Sequence, residues 1–98
     1  MLILKTLSHG PLHGYAIASE IKRASRQVLH VEEGSLYPAL QKILIKGWAT
    51  AEWVKVGPRR EARVYRLTAA GRRQLAAEVS DFTRSMEAIV RILEPREA

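Results

Sequence analysis

The chain has 98 residues, of which 47% are hydrophobic and 27% charged, a balance typical of one globular domain. Its 16 lysines and arginines outnumber its 10 aspartates and glutamates, so the formal net charge at pH 7 is +6. The lack of cysteine excludes disulfides, thiolate nucleophiles and cysteine-based zinc sites. No apolar run approaches the roughly 20 residues of a membrane span. We therefore predict a soluble single-domain protein of a reducing compartment, whose charge favours an anionic partner, either nucleic acid or a membrane surface.

The excess of positive charge lies entirely before residue 68. Residues 1–47 carry six basic and three acidic side chains, and residues 48–67 carry five and two. Residues 68–98 carry five of each and are neutral. This division predicts an anionic partner for the first part of the chain and an apolar partner for the second.

Two helices are predicted before residue 26. The first covers Leu2–Leu7 and stops at Gly10-Pro11. Because Met1 offers no cap, we expect this helix to start further upstream in a longer parent chain. The second covers His13–Ser25, and its buried face is formed by Ile17, Ile21 and Ala24.

A third helix is predicted from the N-cap Ser35 to Gly47, which follows the helix as its C′ residue. This start puts Pro38 at the third helical position, where its missing N–H costs little. The buried stripe consists of Leu36, Leu40, Ile43 and Leu44. The remaining side presents Tyr37, Gln41, Lys42 and Lys46 to the outside.

A hairpin and a long helix are predicted to follow. The strands cover Trp48–Val56 and Ala62–Leu67, and we expect Arg59, Arg60 and Arg63 to crowd the hairpin tip. Thr68 is predicted to cap a last helix that runs to about Leu93 and ends before Pro95. Spacings of four and three residues along that helix define a heptad seam. Its members are Leu75, Val79, Phe82, Met86, Ile89 and Leu93.

This order predicts a mainly α fold with a small antiparallel β-hairpin. It is a winged helix-turn-helix, residues 1–67, followed by one long C-terminal dimerization helix, residues 68–98. The third helix would enter the major groove of double-stranded DNA, and the hairpin, or wing, would touch flanking DNA. The predicted contacts are the helix start Gly34-Ser35, the side chains of Tyr37, Gln41 and Lys42, and the three wing arginines.

Three segments resemble the PadR family of bacterial transcriptional regulators: Leu7–Tyr15 (LSHGPLHGY), Glu33–Leu40 (EGSLYPAL) and Tyr65–Gly71 (YRLTAAG). The resemblance implies a cytoplasmic, nucleoid-associated homodimer that binds DNA, usually as a repressor. It also implies that Ser35, Tyr37 and Pro38 face DNA, that Tyr15 lies near the phosphates and that the basic wing touches DNA. The single C-terminal helix resembles the short-tailed branch, in which this helix serves dimerization.

Other interpretations of these residues stay open. Tyr37 and Tyr15 also suit half-buried positions, the wing arginines suit a solvated loop, and the heptad seam suits packing within one chain. The runner-up function is a winged-helix protein-interaction module that never binds DNA. A small-molecule effector would fit between the last helix and the core.

No enzyme, metal or cofactor is predicted. The sequence lacks a catalytic constellation and a glycine-rich phosphate loop. His9 and His13 have a metal-like spacing, but Gly10-Pro11 separates them and no acidic or thiol ligand joins them. Trp48 and Trp53 are predicted to lie on the first wing strand and to fill the core or an interface. The resemblance implies a tryptophan at the dimer centre in members that bind planar drugs, whereas the last helix here offers only Phe82 and Met86, which argues against such an aromatic sandwich.

Overall fold

The computed structural model describes residues 1–95 as four helices and a three-stranded antiparallel sheet. In chain order the elements are α1 (Leu2–Leu7), β1 (Leu12–His13), α2 (Gly14–Ala24), α3 (Glu33–Ile45), β2 (Ala49–Gly57), β3 (Arg60–Leu67) and α4 (Ala69–Leu93). This architecture confirms the predicted winged helix-turn-helix with a long C-terminal helix. Residues 96–98, the end of the predicted dimerization segment, lie outside the described residues.

The hydrophobic core joins the three N-terminal helices to the base of the sheet. Its largest fully buried side chains are leucines and isoleucines that recur at helical spacing on α1, α2 and α3: Leu4, Leu7, Ile17, Leu36 and Leu40. Ala49, Tyr65 and Leu67 complete it from β2 and β3. The predicted stripe of α3 is confirmed, with Leu44 partly buried against the core.

Strand β1 was not predicted, because two residues are too few to show an alternating pattern. Leu12 pairs with Tyr65 and His13 pairs with Val64, which ties the start of α2 to the wing. His13 is therefore the N-cap of α2 and not its first helical residue. The predicted burial of Ala24 is also wrong, since this last residue of α2 is exposed.

Helix α3 begins earlier than predicted. Its N-cap is Glu32, so the assignment of Ser35 as the cap is wrong. Pro38 consequently lies at the sixth helical position, where its missing N–H leaves the carbonyl of Gly34 without a helical partner. The predicted C-terminus is confirmed: Gly47 has a φ of 75°, and the N–H of Trp48 bonds to the Ile43 carbonyl at 3.0 Å in a Schellman motif.

The wing is longer than the predicted hairpin, because β2 extends to Gly57 and β3 begins at Arg60. Only Pro58 and Arg59 form the turn. Trp48 is partly buried against the core, as predicted, whereas the wing residue Trp53 is 65% exposed.

A close junction connects the wing to α4. The Thr68 hydroxyl accepts a hydrogen bond from the Gly71 N–H at 3.0 Å and donates one to the Gly47 carbonyl at 2.7 Å, which confirms Thr68 as the cap. From here α4 extends for 25 residues, and the molecule measures 69 × 28 × 22 Å. Within residues 1–95, no helix is both long and apolar enough to cross a bilayer.

Candidate nucleic-acid interface

One side of α3 is open. Leu36, Leu40 and Ile43 point into the core, and this rotation leaves the other side to solvent. Tyr37, Gln41 and Lys42 are all exposed on it, as the sequence predicted. This side therefore presents a phenol, an amide and an ammonium group to an approaching molecule.

The start of α3 is open but poorly suited to bind phosphate through its backbone. Gly34, Ser35 and Pro38 are exposed. The Ser35 N–H already bonds to the carbonyl of Glu32 at 3.0 Å. The carboxylates of Glu32 and Glu33 add negative charge where the helix dipole would favour an anion. Any contact of Ser35 itself with DNA would therefore be made by its side chain rather than by its backbone N–H.

Tyr37 combines the two roles considered for it. Its side chain is 46% exposed, and its inner edge packs on the start of α2. A Cβ added to Gly14 would lie 3.2 Å from the Tyr37 ring and 3.4 Å from the Tyr65 ring. Gly14 thus allows both phenols to approach the backbone, and its place in the His13-Gly14-Tyr15 segment has a packing reason. Tyr15 itself is 63% exposed and stacks on His13, with ring centroids 5.4 Å apart.

The three wing arginines do not form a single cluster at the tip. Arg59 lies in the turn and Arg60 begins β3, so these two are at the tip as predicted. Arg63 is three residues further along β3, directly opposite Trp53, and is partly buried. Its placement at the tip is wrong, because the turn is shorter than the five residues expected from Gly57 to Glu61.

A cavity of about 620 Å³ separates α2 and α3 from the wing, and we call it the wing cavity. It is lined by His13, Gly14, Tyr15, Tyr37, Trp53, Val56, Arg60, Glu61, Ala62, Arg63 and Tyr65. Four predicted DNA contacts from three separate segments therefore share one concave surface: Tyr15, Tyr37, Arg60 and Arg63. Gln41, Lys42 and Arg59 lie outside it.

Three aromatic residues of the wing cavity were missed by sequence reasoning, namely His13, Trp53 and Tyr65. His13 was assigned to a helix. Trp53 was assigned to packing, although the pairing of the two wing strands places it across from Arg63. Counting outward from the turn would have paired Trp53 with Val64, and a register shift between Lys55 and Gly57 places it opposite Arg63 instead.

Among the described residues, the cations on the exposed side of α3 and on the wing form no ion pairs with acidic side chains. Elsewhere Glu20 accepts a side-chain hydrogen bond from Arg23, which lowers the pKa of the carboxyl and raises that of the guanidinium. Arg84 likewise pairs with Asp81 at 2.6 Å. Within residues 1–95, no salt bridge involves Lys42 or any of the three wing arginines.

The predicted heptad seam is largely uncovered by the chain itself. Val79, Phe82, Met86, Ile89 and Leu93 are all exposed, and only Leu75 packs against the chain's own core. Val90 and Ile92, which the seam did not include, widen the apolar face, and Ile92 is 82% exposed. Since they occupy the positions that flank a heptad seam, periodicity could have included them.

Comparison with known proteins gives consistent matches. The model of the transcriptional regulator PadR-like family matches residues 3–77. The negative transcriptional regulator PadR of Bacillus subtilis is 33% identical over 73 residues, which cover 74% of this chain and 40% of that protein. The chain thus spans about two fifths of the curated relative that it matches.

Solved structures agree with this match. The crystal structure of Bacillus subtilis PadR in complex with operator DNA superposes with a TM-score of 0.73 and 31% identity, over 80% of this chain and 44% of that one. A transcriptional regulator from Clostridium thermocellum gives a TM-score of 0.88 at 19% identity, over 95% and 90% of the two chains, which supports the fold. The family model covers most of the chain, and the chain therefore belongs to the PadR-like family of transcriptional regulators.

Proposed function

We propose that this chain binds operator DNA as a homodimer and represses transcription. In this proposal residues 1–67 form the DNA-binding part and residues 68–98 the dimerization helix. Helix α3 enters the major groove with Tyr37, Gln41 and Lys42, and the wing contacts flanking DNA. The chain would act on the bacterial nucleoid in the cytoplasm.

The observation that carries this proposal is the single surface formed by the exposed side of α3, the wing cavity and the arginines of the wing. Its cations form no salt bridge within residues 1–95, so their positive potential is available to a polyanion. The matching Bacillus subtilis protein was solved with operator DNA and is named a negative regulator, which supports DNA as the partner and repression as the effect.

Homodimerization is supported by the exposed apolar face of α4. The apolar side chains of this face recur at heptad spacing and are not covered by the chain's own core. Such side chains are well placed to be buried against a second copy. Two-fold symmetry would then present two α3 helices to half-sites about one helical turn, roughly 34 Å, apart.

A small-molecule effector remains part of the proposal. The wing cavity borders no residue of α4. An effector bound between α4 and the core would therefore occupy a site separate from the wing cavity.

Lys42→Ala is expected to weaken binding to a selected operator duplex about tenfold, because it removes one charged contact from the exposed side of α3. Lys5→Ala is the matched control, since it removes the same charge from an exposed position of α1. Fluorescence anisotropy with the labelled duplex measures both affinities. Equal affinities of the two variants would contradict the placement of α3 in the groove, and absence of binding by the wild type would favour a protein-interaction module.

The double variant Arg59→Gln, Arg60→Gln is expected to flatten the dependence of affinity on salt. Each lost phosphate contact lowers the slope of log K against log[salt] by about 0.9. The slope is obtained from the affinities measured at several KCl concentrations between roughly 50 and 300 mM, a range in which phosphate contacts make binding strongly dependent on salt. An unchanged slope would show that the wing tip touches no phosphate.

A further inference from the structure

Arg63 occupies an unusual position for a wing arginine. Its guanidinium carbon lies 5.9 Å from the centroid of the Trp53 ring and 5.8 Å from that of the Tyr65 ring. Both distances are within the range of cation–π contact. The residue is partly buried, and its Nε is buried without a hydrogen-bond partner. The two rings thus hold the side chain in place without satisfying its donors.

A second nitrogen of the wing cavity has the same deficit. The Nδ1 atom of His13 is buried and has no hydrogen-bond partner. Glu61 also lines the cavity, yet it forms no salt bridge with Arg63. Buried polar atoms without a partner cost free energy in a folded protein unless water or a ligand satisfies them. Because the positive charge of Arg63 has no acidic partner within residues 1–95, the cavity is suited to an anion that accepts hydrogen bonds.

The location of the cavity identifies the anion. Its walls are the start of α2, Tyr37 of α3 and both strands of the wing. When α3 enters the major groove and the wing contacts DNA beside it, one sugar–phosphate strand must cross the space between them. That space is the wing cavity, and its volume of about 620 Å³ exceeds what a single bound ion fills.

We propose that the wing cavity seats this sugar–phosphate strand, with one phosphate on Arg63 and the adjoining deoxyribose against the exposed face of Trp53. The proposal rests on the DNA-binding function proposed above and adds a specific contact to it. Trp53 is 65% exposed and presents a flat apolar ring next to the guanidinium, which complements a sugar next to a phosphate.

This seat has a consequence for recognition. A phosphate contact carries no base information, but it fixes the position of the protein along the duplex. Arg63 is held by two rings on the same sheet whose β1 strand leads into α2, so the phosphate has a set distance from the bases that α3 reaches. The protein would therefore recognise the shape of the operator's sugar–phosphate backbone in addition to the base sequence that α3 contacts.

The test compares Arg63→Gln with Arg66→Gln on a 30-base-pair duplex selected by the wild-type protein from a random-sequence pool. Both substitutions remove one positive charge from β3, but Arg66 is exposed and does not line the wing cavity. Glutamine keeps part of the aliphatic stem and a polar end but is shorter and uncharged, and the same replacement is made at both positions. We expect Arg63→Gln to weaken binding at least tenfold and Arg66→Gln less than threefold. Equal losses in the two variants would overturn the seat, because they would reflect net charge alone.

A second measurement locates the phosphate. A set of duplexes carries one neutral methylphosphonate each, at successive positions. The wild type and Arg66→Gln should lose affinity sharply at one position in each half-site, whereas Arg63→Gln should be insensitive at that position and keep the wild-type pattern elsewhere. If Arg63→Gln retains every sensitivity of the wild type, Arg63 holds no phosphate and the seat is wrong, although DNA binding stands. If the wild type selects no duplex, the proposed function itself fails. Urea unfolding of both variants verifies that each is folded.

Discussion

Replacing Gly71 by alanine is expected to destabilise the fold by more than ~3 kcal/mol, the largest stability effect that we predict for a single methyl group in this chain. A Cβ at this position would lie 2.0 Å from the carbonyl oxygen of Trp48 and 2.9 Å from its carbonyl carbon. Both are backbone atoms, so no change of side-chain rotamer relieves the overlap. The added Cβ would also lie 2.6 Å from a methyl group of Leu67, so a shift of the helix toward that side chain gives no relief.

The Trp48 carbonyl cannot move without further loss. It accepts a hydrogen bond from the Thr68 N–H at 3.0 Å, and the Thr68 hydroxyl caps α4 through the N–H of Gly71. Displacing α4 by the required distance would break this junction between the wing and the last helix. Removal of such a cap alone typically costs about 1 kcal/mol.

Gly34→Ala is the matched control for this prediction. Gly34 is also a helical glycine, but a Cβ there meets no atom within 4 Å. Alanine should therefore leave stability unchanged or raise it by up to ~1 kcal/mol. Urea denaturation followed by circular dichroism, at one fixed protein concentration because a dimer's stability depends on it, compares the two variants. A midpoint for Gly71→Ala equal to that of the wild type would show that α4 docks differently.

Sequence patterns predicted the elements whose signals are long and periodic. The stripe of Leu36, Leu40 and Ile43 predicted the orientation of α3, and the side chains on its open side followed from that orientation. Thr68 and Gly47 were assigned correctly as a cap and a C′ residue, because their chemistry is local.

The features that sequence reasoning missed depend on contacts between distant segments. Strand β1 exists because it pairs with β3, and two residues have no pattern of their own. The two-residue turn left Arg63 away from the tip, and the register shift between Lys55 and Gly57 placed it opposite Trp53. Ser35 has good capping chemistry, but α3 continues two residues before it. The assembly of His13, Trp53 and Tyr65 around the wing cavity therefore required the structure.

Replacing Met86 by lysine is expected to convert the proposed dimer into monomers and, as a result, to reduce operator affinity by at least a hundredfold. Met86 lies near the middle of the heptad seam and is 42% exposed in the single chain. Phe82 and Val90 line one groove with it, which is also lined by Glu87, Arg91 and Glu94. An ammonium group at this position would replace an apolar contact of the seam and be buried against a second copy, and desolvating a charge costs several kcal/mol.

The expected loss of DNA affinity follows from symmetry. A monomer carries one α3 and contacts one half-site, so it lacks the gain in effective concentration that links the two halves, a factor of roughly 10²–10⁴. Sedimentation velocity at several protein concentrations measures the association state, and anisotropy with the selected duplex measures the affinity.

Ala88→Lys is the matched control, since it introduces the same charge two residues away, at a heptad position outside the seam and its flanks. This variant should sediment as a dimer and bind the operator with nearly wild-type affinity. A dimeric Met86→Lys variant would show that the exposed face of α4 does not hold the two copies together. A monomeric variant that keeps full affinity would separate DNA binding from dimerization, because one α3 and one wing would then suffice for the operator.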